Sequence, residues 1–94
     1  MMFLIYCVDD PAKGPASDEL RAVHRTYLFE TFKEQVQYGG PTFKDDGTTI
    51  DGRVMFAEFP TKADAEAFVR GEPYFKAGQV QRYEIKPMRM AIKR

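Results

Sequence analysis

The chain has one cysteine and one histidine, and neither sign of charge is in excess, since 14 Lys and Arg balance 14 Asp and Glu. A single thiol cannot close an internal disulfide, so a reducing compartment is the simpler setting for Cys7. One histidine and one cysteine well apart in sequence make no recognised zinc pattern, and no metal is expected. Balanced charge leaves no basic footprint for a nucleic acid. The opening apolar run, residues 2–8, is too short for a membrane span or a signal-peptide core. It has no basic leader and runs into Asp9 and Asp10, so no membrane partner is expected and the cytoplasm is the expected location. Phosphate-loop and dinucleotide fingerprints are also missing, and no cofactor is expected.

What is present suits one small domain over residues 1–94, with 44% apolar and 30% charged composition. A chain of this length hides only roughly 60–65% of its unfolded surface. A site in it must be shallow or completed by a second subunit, which makes a homodimer the expectation.

Residues 2–8 are aromatic and β-branched and read as a central strand. Gly14 and two prolines then mark a loop, and Ser17 is placed to cap a helix whose first turn carries Asp18 and Glu19. Leu20, Val23, Tyr27, Leu28, Phe32 and Val36 recur at three- and four-residue spacing. That spacing predicts an amphipathic helix over residues 17–37, stopped by Gly39-Gly40-Pro41. A short strand over 41–44, a turn at Asp45-Asp46-Gly47 and a strand over 52–59 follow. Thr61 and Asp64 form a capping box for a second helix ending at Gly71. Residues 72–78 read as a turn or one helical turn, and residues 79–86 as the last strand. The order β-α-β-β-α-β is satisfied by an antiparallel sheet with both helices on one face.

His24 is the candidate for acid–base chemistry, because histidine ordinarily titrates nearest neutrality. On a helical wheel it falls among Leu20, Tyr27, Leu28 and Thr31, at the packed face or its border. The plain alternative is a structural histidine with its hydrogen bonds satisfied. Asp9, Asp10, Asp45 and Asp46 are carboxylates able to orient it, and spacing alone does not choose among them. Arg21 can clamp a carboxylate from the same helical surface, and Tyr27 can close a polar–aromatic pocket.

Four segments together resemble the YCII-related family: residues 3–6, Arg21-Ala22-Val23-His24-Arg25, Gly39-Gly40-Pro41, and residues 72–78 before a final strand. That family is similar in fold to the dimeric α+β barrels and to muconolactone isomerase. The resemblance implies an α+β fold with a ferredoxin-like βαββαβ sandwich, paired as a dimeric α+β barrel, and a histidine–aspartate active site. His24 takes the family histidine position, Asp46 or Asp45 is the first choice for the aspartate, and Asp9 stands behind them. Relatives commonly carry Asp-Pro where this chain has Glu72-Pro73, which keeps the charge with a longer reach. The expected function is isomerisation or elimination on a small cyclic or aromatic anionic substrate. His24 with Asp46 or Asp45 would be catalytic, and Arg21, Tyr27, Asp9 and Glu72 would bind substrate. The alternative is a dimer that binds a small molecule without turnover, or an accessory subunit.

Overall fold

The computed structural model describes residues 1–94, and its first strand, β1 (Met2–Asp9), is central. Alternation drives its placement: Phe3, Ile5 and Cys7 are buried, while Leu4, Tyr6 and Val8 are half-buried on the other face. It pairs antiparallel with β3 (Ile50–Glu58) on one side and with β4 (Val80–Met88) on the other. An outer strand, β2 (Val36–Phe43), pairs antiparallel with β3, giving the order β2-β3-β1-β4.

The expected dimeric α+β barrel is corrected by this topology. The sheet is open, with β2 and β4 as its two edges, and it does not close into a barrel. The physical reason is strand number, since a closed barrel whose side chains fill its interior takes about eight tilted strands. What stands is a four-stranded antiparallel α+β sheet with its helices packed on one face.

The first helix, α1 (Asp18–Thr26), starts as the sequence indicates, with Ser17 Oγ accepting from the Leu20 backbone N at 3.1 Å. It ends earlier than its periodicity predicts. Residues Tyr27–Thr31 widen into a π-helical turn, closed by Phe32 N donating to Tyr27 O at 3.0 Å. Val36 then opens β2 opposite Ala57, where it joins the core. Gly39-Gly40-Pro41 therefore lies inside a strand instead of ending a helix. An edge strand tolerates that proline because one side of its backbone has no ladder to serve.

The second helix, α2 (Lys62–Gly71), has the expected Thr61 cap and buries Ala65, Phe68 and Val69. Phe68 is the hub of the core, within 5.5 Å, centroid to centroid, of the rings of Tyr27, Phe32 and Phe59. One turn of helix, α3 (Pro73–Lys76), follows, with Glu72 at its N-cap. Core residues Phe3, Ile5, Met55, Ala57 and Ile85 all face these helices.

Candidate active site

An open groove of about 870 Å³ lies between α1 with its π-helical extension and the β2–β3 edge of the sheet. Arg21, His24 and Leu28 line it from the helical side, and Gly39, Arg53 and Met55 from the sheet. Gly39 keeps the floor low, because a Cβ there would meet Met55 Cγ and Val54 O at 3.2 Å. Tyr74, delivered by α3, lines the groove beside His24.

The His24 side chain is only 12% exposed, and its Nδ1 is hydrogen-bonded to Oε1 of Glu72, itself buried. The second carboxylate oxygen, Oε2, accepts from the Tyr74 backbone N at 3.1 Å. Both oxygens are thus committed, which fixes the carboxylate and through it the imidazole. The neutral ring donates Nδ1–H to Glu72 and carries its lone pair on Nε2. The ring also stacks on Tyr74, with centroids 3.8 Å apart and planes within 4°. Burial pushes the Tyr74 phenol above its ordinary pKa; the Arg53 charge opposes that shift and Glu72 adds to it.

An ion pair lies beneath the same tyrosine. Arg53 Nη2 donates to both carboxylate oxygens of Asp9, at 2.7 and 2.9 Å, and the guanidinium carbon sits 4.6 Å from the Tyr74 ring centroid. Arg53 is 8% exposed, and its buried Nη1 has no hydrogen-bond partner. Cys7, behind this layer, has its thiol pushed up to about 11, mainly by burial, with Arg53 opposing and Glu72 and Asp9 reinforcing. Tyr74 thus joins two buried pairs, the hydrogen-bonded His24 and Glu72 and the ion-paired Arg53 and Asp9.

The YCII-related domain family matches residues 1–89. The chain belongs to that family. A solved structure of 5-chloro-2-hydroxyhydroquinone dehydrochlorinase (TftG) from Burkholderia phenoliruptrix, in complex with 2,5-dihydroxybenzoquinone, is similar to it with a TM-score of 0.81 and 28% identity. That match covers 95% of this chain and 94% of the other. No curated protein matches the chain. No group of three or more His, Cys, Asp and Glu side chains converges in a way that would hold a metal ion. No helix is long and apolar enough to cross a membrane.

In this YCII-related chain the imidazole partner is Glu72, where the resemblance pointed first to Asp46 or Asp45. Asp46 is committed to its own turn, its carboxylate accepting from the backbone N of Thr48 and of Thr49 at 2.9 Å and from Thr49 Oγ1 at 2.6 Å. Asp45 is exposed in the same turn. Asp9 reaches the site through Arg53, and Arg21 lines the groove while standing 3.8 Å from Asp18. Tyr27 turns its hydroxyl into the fold and donates to Phe68 O at 2.9 Å. The residues that sequence reasoning did not single out are Arg53 and Tyr74. Arg53 alternates with Met55 and Ala57 on the inward face of β3, and a charge at such a position is the signal that marks it.

Proposed function

We propose that this protein is an acid–base enzyme acting on a small hydroxylated aromatic compound, with Nε2 of His24 as the base. The observation that carries this reading is the buried Glu72 carboxylate on Nδ1, which leaves Nε2 as the ring atom available to a ligand at the wall of an open groove. A carboxylate behind an imidazole holds its tautomer and stabilises the imidazolium that forms on proton uptake. The likeness to TftG, whose name gives it a chlorinated hydroxyhydroquinone, supports an aromatic substrate class.

The proposed chemistry follows from those parts. Nε2 takes a proton from a ring hydroxyl, and the oxygen electron pair moves into the ring. The halogen-bearing ring carbon then takes up a proton, giving the keto tautomer. Loss of the proton of a second, para hydroxyl sends its electron pair through the ring and the halide departs with its bonding pair, for net loss of HX and a quinone product. Negative charge on the oxygen is met by the Arg53 guanidinium and stabilised before the proton arrives. The test is halide release and ultraviolet absorbance with 5-chloro-2-hydroxyhydroquinone, comparing the native protein with His24→Ala. Enzymatic release lost in the variant supports the reading. Tight binding of 2,5-dihydroxybenzoquinone without turnover of any halogenated or hydroxylated ring overturns it in favour of a binding protein, in which Glu72 serves only to cap α3.

The same reading includes a homodimer. Leu4, Tyr6, Val54 and Phe56 share the sheet face away from the helices, and no element of the chain covers them. A second copy placing its own sheet face there would bury this apolar surface. Sedimentation equilibrium of the native protein and of Tyr6→Glu tests it. A native dimer that the variant dissociates supports the assignment, and a monomer at assay concentration overturns it.

A further inference from the structure

Charge in this chain is balanced overall, yet it is divided at the groove. Of the 17 residues that line it, four are basic (Arg21, Arg25, Lys33 and Arg53) and none is acidic, although the chain carries as many acidic residues as basic ones. Two carboxylates are engaged behind its wall, Glu72 on His24 and Asp9 on Arg53, and the exposed Asp18 stands 3.8 Å from Arg21 at the rim. In each buried pair the nitrogen partner, His24 or Arg53, lines the cavity, and the carboxylate does not.

The basic residues also have an order. Arg21, Arg25 and Phe29 fall at four-residue spacing along α1 and its extension and form one ridge beside the inner positions of His24 and Leu28, and Lys33 lines the groove from the turn that follows. Arg25 is held at the rim with its guanidinium carbon 5.3 Å from the Phe29 ring centroid, and Phe29 is itself 64% exposed. A single hydroxylated ring is small for a groove of about 870 Å³, which lies in the range that takes drug-sized ligands. The groove has room for a ring at His24 and for a substituent that reaches the ridge.

We propose that the substrate is a hydroxylated aromatic acid, its ring lying between His24 and Arg53 and its carboxylate meeting the Arg21–Arg25 ridge at the groove mouth. This deepens the proposed function and rests on it for the position of the ring. The carboxylate distinguishes the substrate from the uncharged chlorinated hydroxyhydroquinone after which TftG is named. Arginine suits the role because its planar fork matches a carboxylate with two parallel bonds. Charges this exposed act through a screened field, so the preference they confer depends on salt.

The test compares two probes that differ only by the carboxylate, hydroquinone and 2,5-dihydroxybenzoate, by NMR-detected binding and by turnover of their halogenated analogues. The expected result is that the acid binds about tenfold more tightly at low salt and that the preference shrinks several-fold at about 0.3 M salt, where the screening length is below 10 Å. Arg25→Gln, at an exposed position, should remove most of the preference while leaving hydroquinone binding where it was. The Arg21→Gln/Arg25→Gln double variant should abolish it. Equal affinity for both probes, or a preference that survives in the double variant, overturns the inference. Turnover of the uncharged ring with no preference for the acid would leave the proposed function standing and this inference refuted. A salt-sensitive preference without turnover of either ring would do the reverse.

Discussion

Glu72 holds Nδ1 of His24 with one carboxylate oxygen and caps the backbone of Tyr74 with the other, so the orientation of the imidazole and the start of α3 depend on one buried side chain. The same α3 turn supplies the ring on which His24 stacks. Ring position, tautomer and stacking are therefore coupled, and a change at Glu72 acts on all three.

Glu72→Gln separates charge from shape. The amide keeps an oxygen for the Tyr74 N–H but no longer stabilises an imidazolium, so turnover should fall by about 10²-fold or more. Thermal unfolding should shift little, because the cap survives. Steady-state kinetics and a melting curve on the same preparation check this. Unchanged turnover would remove Glu72 from the chemistry.

Phe68 is 2% exposed among the rings of Tyr27, Phe32 and Phe59, and truncating it leaves a void that α2 and the π-helical turn cannot both close. Phe68→Ala should cost about 3–5 kcal/mol of unfolding free energy. Urea denaturation measures it. A cost below about 1 kcal/mol would mean that the core repacks freely around the position.

The turn at Asp46 should respond to acid. Hydrogen bonds from the Thr49 hydroxyl, then from the Thr49 and Thr48 backbone, hold its carboxyl at about 2, below the ordinary 3.8. The folded value lies below the unfolded one, so the contribution of the turn is complete above about pH 4 and is lost as pH falls through about 2. Carbon-detected NMR of the Asp46 carboxyl, with amide exchange at Thr49, follows both changes. Titration at 3.8 with Thr49 exchange unaltered would show that the turn is not formed in solution.

Cys7 should be inert in the folded protein. With its thiol pushed up from 9.0 to about 11, thiolate is about a hundredfold scarcer at neutral pH, and the sulfur is buried as well. A disulfide reagent at pH 8 should react only as denaturant is added, in step with unfolding. Prompt native-state labelling would show that β1 opens locally.

Several features can be read directly from the residues. The unbroken aromatic and β-branched run over residues 2–8 and the Ser17 and Thr61 caps each lead to the element observed, because each is a local preference that packing reinforces. The helical periodicity through Val36 misleads for an equally physical reason. Its residues are spaced for a helix, but Val36 gains more by pairing with Ala57 at the sheet edge.

By itself, then, the sequence determined the α+β order, the family, and the place of its one histidine on an amphipathic helix. Only the tertiary structure decided what that histidine meets. Glu72 lies 48 residues from His24, and Asp9 lies 44 from Arg53. Pairings at such separations are set by strand order and by where α3 docks, and neither leaves a mark in local spacing. The openness of the sheet was decided the same way, since strand composition specifies pairing and burial but not which edges meet.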